Sequence, residues 1–380
     1  MHIPFNPSDR SSLGVEWELE LVDLDTRQLT SGATSILEEI TPVPGEEHPK
    51  AKHELLESTV EIITGICSTV AEAREDLAVT LKEVQTAAAK RNLGVMCSGT
   101  HPITDWDTQE ISPNPRYTAL VEQMQWLARR LQIFGVHVHV GVRSPAKSLP
   151  INNALMAYIP HFLALSASSP YWIGTDTGLA SARSKVFEGL PTAGLPYALS
   201  GWNDFEDYME TLISTQTIQS IREVWWDIRP HPNFGTVELR ICDGMPTLDE
   251  ITIAAAMAQS LVESLDRQLD RGYTLPVPKM WIVRENKWRA ARYGLDAEII
   301  VDDRGNQVMP VKEAILELAD DLTPIARKLG CEDELAKVEH LLKVGGSYQR
   351  QRAVAAESGG DLTAVVDSLL REMNEGLPQA

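Results

Sequence analysis

The chain has 380 residues, 43% of them hydrophobic and 23% charged, enough for one large domain or two ordinary ones with a sizeable core. Its formal net charge of −20 excludes nucleic acid and anionic membrane as main partners, since both demand a basic face. A nucleotide held by a few arginines and a metal ion stays possible, and the four dispersed cysteines, the absence of an apolar leader in MHIPFNPSDR and the lack of any apolar run near ~18 residues predict reduced thiols in a cytoplasmic protein.

In chain order, residues 13–23 alternate as a strand, with Val15, Trp17, Leu19 and Leu21 on one face and Glu16, Glu18 and Glu20 on the other. A Pro/Gly-rich loop occupies 41–53. The stretch ELLESTVEIIT (54–64) reads two ways, alternating in its second half and compatible with a helical turn in its first. Helical spacing runs from 68 to 92, with Ser68 or Thr69 as cap and Gly94 as stop. A short strand is predicted at 93–102, a helix around 116–132, the strand FGVHVHVGV at 134–142 and a helix over 150–168. The Gly-rich segment 173–196 reads as a long functional loop and a candidate lid. Strands at 223–230 and 236–242 flank a turn at 231–235. From Leu248 the chain is mainly helical, apart from a hairpin at 298–311 turning at Asp303 to Asn306.

Strands and crossover helices do not alternate, which disfavours Rossmann and TIM-barrel organisation. The prediction is an α+β fold with a curved, mainly antiparallel sheet. It forms a single domain over 1–380, with a helical C-terminal portion from about 248.

Splitting each strand into its two faces exposes the chemistry. In 134–142, Val136, Val138, Val140 and Val142 oppose His137 and His139; in 236–242, Val237, Leu239 and Ile241 oppose Glu238 and Arg240; in 57–64, Glu57, Thr59 and Glu61 oppose Val60 and Ile62. An ordinary half-exposed sheet scatters Thr, Lys, Ser and Glu over its outer face. Here Glu16, Glu18, Glu61, His137, His139, Glu238 and Arg240 occupy it without a lysine. If those faces curl together they form an acidic cup whose carboxylates cannot all ionise without cations, and oxygen donors with an imidazole suit Mg²⁺ or Mn²⁺. Each motif alone has a plainer reading: an ExE is more often a solvated face, and Glu238 and Arg240 can pair across a strand. Their coincidence on strands with an apolar opposite face favours the cup.

Arg183 in DTGLASAR, Lys287, Arg289 and Arg292 in ENKWRAARYG, and Arg350 in GGSYQRQR are candidates for ATP or substrate, with His139 beside the cup. For any one helix arginine, pairing with a surface acid is the commoner outcome. No Walker or GxGxxG motif is present, so an ATP site here must be built from the sheet, metal ions and arginines.

The motifs GVEWE (14–18), HELLESTVEIIT (53–64), GVHVHVGV (135–142), SSPYW with GTDTGLASAR (168–183), TVELRICD (236–243), ENKWRAARYGLD (285–296) and SYQRQR (347–352) resemble, in order, the carboxylate–amine ligase family, also called glutamate–cysteine ligase type 2. The resemblance implies a funnel-like sheet with helices outside and ATP-dependent amide formation between the γ-carboxylate of glutamate and an amine, usually cysteine, giving γ-glutamylcysteine for thiol biosynthesis. By motif position it makes Glu16, Glu18, Glu54, Glu61, His137 and Glu238 divalent-metal ligands. Arg240 becomes the phosphate contact and Arg183 a residue serving the substrate or the transferred phosphate; a homodimer is the family expectation. Trp17 stands where the family usually has an acid, and Glu20 where it is usually apolar. Glu20 is therefore expected at the rim or in solvent. Glu54 falls on the wrong face under strict alternation from Glu61, and reaches the cup only if 54–57 is loop or turn. The competing readings are a metal-dependent hydrolase with zinc on His137 and His139, and a non-catalytic nucleotide or amino-acid binder.

Overall fold

The computed structural model describes residues 1–375 and 377. Its centre is a sheet of seven strands: β1 (Leu13–Asp23), β2 (Ala51–His53), β3 (Thr59–Ile63), β4 (Leu93–Met96), β5 (Gly135–Gly141), β8 (Ile228–His231) and β9 (Thr236–Asp243). The hairpin strands β6 (Tyr171–Trp172) and β7 (Thr175–Asp176), and β10 (Glu298–Ile300) with β11 (Val308–Pro310), form two small separate sheets. The main order is β2-β3-β1-β5-β9-β8, with β4 pairing the far half of β1, and the paired strands are all antiparallel. The sheet is open, as an α+β fold with antiparallel pairing predicts.

The register explains the site. Glu18 lies opposite Glu61 across β1 and β3, Glu16 opposite His137 across β1 and β5, and His139 opposite Glu238 across β5 and β9. Since side chains alternate with period two, this alignment puts every acid and imidazole on one face and every apolar partner on the other. The apolar face is core: Val15, Trp17, Leu19 and Leu21 join Val60, Ile62, Val136, Val138, Val140, Val237 and Leu239 in one cluster. The helices Val70–Ala89 and Leu248–Asp270 cover it. Trp17 is fully buried there, and truncating it to alanine is expected to cost about 3–5 kcal/mol.

Thr69 caps the helix Val70–Ala89 through a capping box with Glu72. That helix stops at Ala89 and Gly94 belongs to β4, so Gly94 is not its terminator. The helix expected at 116–132 is broken: Pro115–Met124 and Trp126–Arg129 meet at Gln125, held at φ 50. The one expected at 150–168 starts at Pro145 and passes through a 3₁₀ turn at Met156–Tyr158 before Ile159–Ser166. Of the strand expected at 223–230 only Ile228 onward joins the sheet, because Ile221–Glu223 forms a capped 3₁₀ turn. The segment 173–196 is not an irregular loop. It holds the helix Ala182–Phe187 and is tied down where Trp225 and Asp227 donate backbone bonds to the Thr192 and Gly194 carbonyls. Among the described residues no helix is long and apolar enough to cross a membrane.

Candidate active site

The polar face of the sheet opens into a cleft of about 320 Å³, lined by Glu16, Glu18, Glu54, Glu61, His137 and Arg240 with Lys52, Arg116, Arg222 and Arg229. Ligand atoms of Glu16, His137 and Glu238 lie within 4.8 Å of one another, as do those of Glu18, Glu61 and His137. His137 Nδ1 is 2.9 Å from Glu16 Oε2, and its Nε2 faces Glu18 Oε1 at 4.0 Å. His139 Nε2 lies 3.2 Å from Glu16 Oε1, while its Nδ1 meets the Thr236 hydroxyl at 3.0 Å.

The charges sort themselves by neighbour. Burial alone would raise Glu16, but His139 and His137 hold it well below the ordinary carboxylate value. Burial pushes His137 down to about 4, with Arg240 adding to the effect. An ionised Glu16 beside a neutral His137 fixes the tautomer: Nδ1–H donates to Glu16 and the Nε2 lone pair turns toward Glu18. Burial would also raise Glu238, yet Arg229 and Arg240 keep it well below its ordinary value. Arg229 Nε donates to Glu238 Oε2 at 2.7 Å, and Arg240 donates to Oε1.

The other side of the cup lacks such compensation. Burial and the charge of Glu54 push Glu18 up to about 8. Burial, then Glu16, Glu54 and Glu18, push Glu61 well above its ordinary value. Burial raises Glu54 too. Glu54 sits in the loop between β2 and β3, as its reach required, and lines the cleft without joining either close group of ligand atoms. Three desolvated carboxylates with a neutral imidazole are the hard-oxygen set that a small divalent cation fits.

Other candidates lie elsewhere. Glu20 is not at a rim: it is wholly buried, accepts from Ser98 N at 2.8 Å and Ser98 Oγ at 2.9 Å, and burial lifts it to about 8. Arg183 is buried behind the cleft, where its guanidinium donates to the Arg240 carbonyl at 3.4 Å and packs against Gly135 so closely that a Cβ there would stand 2.2 Å from Nη2. Lys287 is 2% exposed and tied to Glu188 at 2.5 Å and Asp227 at 2.6 Å. Arg289 pairs with Glu285, Arg292 donates to the Gly178 carbonyl, and Arg350 bridges Glu250 and Glu372. None of these four lines the cleft, because each finds a local acceptor first.

Sequence reasoning missed Arg229, Lys52, Arg116 and Arg222, all on the cleft wall. Arg229 had a signal, since it alternates with Asp227 in DIRP and its backbone register places it opposite Glu238. A second cleft of about 450 Å³ lies around the start of β1 and shares Glu16 and Lys52 with the first. His139, Phe234, Asn6, Ile66 and Thr236 line it, and Phe234 stacks on His231 with centroids 4.1 Å apart.

The architecture is that of glutamate–cysteine ligases. The structure of glutamate–cysteine ligase from Francisella tularensis in complex with AMP matches with a TM-score of 0.68 at 13% identity, covering 99% of this chain and 91% of that one. The bifunctional glutathione synthetase of Pasteurella multocida matches with a TM-score of 0.67 at 14% identity, over 95% of this chain and 52% of that one. At such identities the likeness shows the fold alone.

The chain belongs to glutamate–cysteine ligase family 2, whose model matches residues 12–368. A Frankia alni protein is 62% identical over 100% of this chain and 99% of its own length, and one from Thermobifida fusca is 56% identical over 100% of this chain and 94% of its own. Their names are "Putative glutamate--cysteine ligase 2-1" and "Putative glutamate--cysteine ligase 2". The chain is an ATP-dependent ligase joining a carboxylate to an amine. This supersedes both the zinc-hydrolase and the non-catalytic readings.

Proposed function

We propose that the chain joins the γ-carboxylate of glutamate to the amine of a second amino acid, cysteine in the reaction that names the family, through an acyl phosphate made at the expense of ATP. The observation carrying this reading is the convergence of four carboxylates and a neutral imidazole beside the Arg229–Glu238–Arg240 cluster. Glu16, Glu18, Glu61, Glu238 and His137 would hold Mg²⁺ or Mn²⁺. When bound, such ions neutralise the triphosphate and spread the charge of the phosphoryl group in transfer.

The chain's own residues supply position and charge. Arg240 projects into the cleft from a strand, held by Glu238, so its planar fork is pre-oriented toward a transferring phosphoryl group. Arg229 holds the other oxygen of Glu238 and keeps that carboxylate ionised. The second cleft is our candidate for the nucleotide: the His231–Phe234 pair offers a stacking face for a base, with Phe234 55% exposed, and the shared Glu16 and Lys52 lead to the cup. The first cleft then receives the two amino-acid substrates. In-line attack of the carboxylate on the γ-phosphorus releases ADP, and the amine expels phosphate from the acyl phosphate as its proton leaves.

The test is Mg²⁺-supported ADP release dependent on glutamate and an amine, in wild type and in Glu16→Gln, Glu61→Gln and Arg240→Lys. Loss of turnover with retained folding is expected in all three. Wild-type rates in all three remove the cup from the reaction. Phe234→Ala is expected to raise KM for ATP and leave KM for glutamate unchanged.

A further inference from the structure

Among the described residues four arginines and one lysine line the first cleft, and they are not equally free. Arg229 and Arg240 are both spent on Glu238, one on each oxygen. Lys52 lines both clefts, where the phosphates of the proposed nucleotide would pass. Arg222 belongs to the nucleotide side: its carbonyl accepts from Arg229, two residues before His231 on β8, and the His231 ring stacks on Phe234. Arg116 is the remaining cation.

Arg116 lies in the first turn of the helix Pro115–Met124, which contributes no described residue to the second cleft. That helix buries one side chain, Tyr117, whose hydroxyl donates to the His53 carbonyl at 3.0 Å and so moors the turn beside Glu54. Arg116 itself is exposed at the cleft and lies over the Tyr117 ring at 6.0 Å; among the described residues its side chain makes no ion pair and no hydrogen bond. The helix arginines Arg289, Arg327 and Arg350, by contrast, each hold an acid. A planar fork left free at the mouth of a cleft, in a chain of net charge −20, is matched by a carboxylate brought in from solution.

The order of the reaction decides which carboxylate. The γ-carboxylate of glutamate has to lie on the floor, against the cup and the phosphoryl group, before any amine can react. The amine arrives last and from the open side, where Arg116 stands. We propose that Arg116 binds the α-carboxylate of the amine substrate, and that this contact makes the enzyme select an α-amino acid over the same amine without its carboxylate. This rests on the ligase reading above and assigns it the residue that holds the second substrate. Anchored by its carboxylate, the amino acid presents its nitrogen to the acyl carbon. The C–N bond forms, the acyl phosphate C–O bond breaks, and the amine proton leaves to solvent or phosphate.

The experiment measures ADP release at saturating ATP, Mg²⁺ and glutamate, with cysteine or with cysteamine, which is cysteine without the carboxylate. Wild type is expected to show a kcat/KM for cysteine about tenfold or more above that for cysteamine, the discrimination a charged hydrogen-bonding pair supplies. Arg116→Met keeps the apolar stem of the side chain. It is expected to lower kcat/KM for cysteine about tenfold to a hundredfold, through KM, and to leave cysteamine and the KM for glutamate unchanged. The cysteine-to-cysteamine ratio is internal to one preparation, so partial misfolding does not move it, and Arg116→Lys is expected to recover part of it. A wild-type ratio of one, an unchanged ratio in Arg116→Met, or a rise in the KM for glutamate in place of that for cysteine overturns the proposal and leaves the ligase reading standing. No glutamate-dependent ADP release with either amine overturns both.

Discussion

Two groups of carboxylates in this molecule meet opposite electrostatic fates. Near the surface, at the end of the helix Leu248–Asp270, the buried Asp266 and the exposed Asp270 each receive Arg10, Arg143 and Lys147. Hydrogen bonds from Lys147 and Arg143 hold Asp270 well below its ordinary value. In the cup, the half-buried Glu18 and Glu54 crowd against the buried Glu61, and all three are pushed up. The outer group is complete within the chain, whereas the inner group is the one we propose a cation completes. Burying uncompensated acids costs several kcal/mol per ion, and that deficit is what supports the proposal.

The comparison breaks most forcefully at Glu238, the cup carboxylate that the chain compensates with two guanidiniums. Glu238→Gln leaves two buried guanidiniums without an anion and is expected to cost about 3–5 kcal/mol in denaturant unfolding. Glu61→Gln should do the reverse, reducing repulsion among Glu16, Glu18 and Glu54. Its Tm is expected to equal or exceed that of wild type in the absence of metal, while turnover falls about 100-fold or more. A destabilised Glu61→Gln with normal turnover would assign Glu61 to structure.

A third fate is neutrality, and it gives the pH dependence. Burial pushes His101 from 6.5 down to about 3 and His161 from 6.5 down to about 4. Both values are depressed, so the unfolded chain binds protons that the folded chain refuses once the pH drops below 6.5. Their contribution to stability is full above that pH and is lost as the pH falls through the window toward 3 and 4. His101 Nδ1 accepts from Thr104 N at 3.1 Å, a bond an asparagine oxygen can take over. His101→Asn is therefore expected to lose less Tm than wild type between pH 7 and pH 5. The smallest effect belongs to Asp270→Asn, because Asp270 is itself exposed and its partners Arg10, Arg143 and Lys147 all keep Asp266. Its Tm should match wild type at high salt, and a large shift there would make the outer cluster a structural requirement.

Much of this was legible in the sequence where local alternation carried it. GVEWELEL and GVHVHVG show both faces of their strands by period two alone, and the antiparallel sheet and the gathering of Glu16, Glu18, Glu61, His137 and Glu238 follow from that. What stayed hidden depends on partners distant in the chain. Glu20 continues the same alternation as Glu16 and Glu18, but it meets Ser98 past the end of β4 instead of the cleft, because β4 takes over from β5 as the neighbour of β1 there. The helix positives Lys287, Arg289 and Arg350 look identical in sequence to phosphate contacts, and only the fold brings Asp227, Glu298 and Glu372 within their reach. The break at Gln125 has no glycine or proline to announce it, so the wall of the first cleft could not be foreseen from helical spacing.

The most direct test of the account is a Mn²⁺ titration of the metal-free protein, followed by the electron paramagnetic resonance signal of the free ion. Wild type is predicted to suppress that signal at micromolar to millimolar protein, and the double variant Glu16→Gln/Glu61→Gln to leave it at the level of buffer alone. A wild-type protein that leaves the signal untouched, or a double variant that suppresses it equally, would contradict the claim that the acidic cup is built to be completed by a divalent cation.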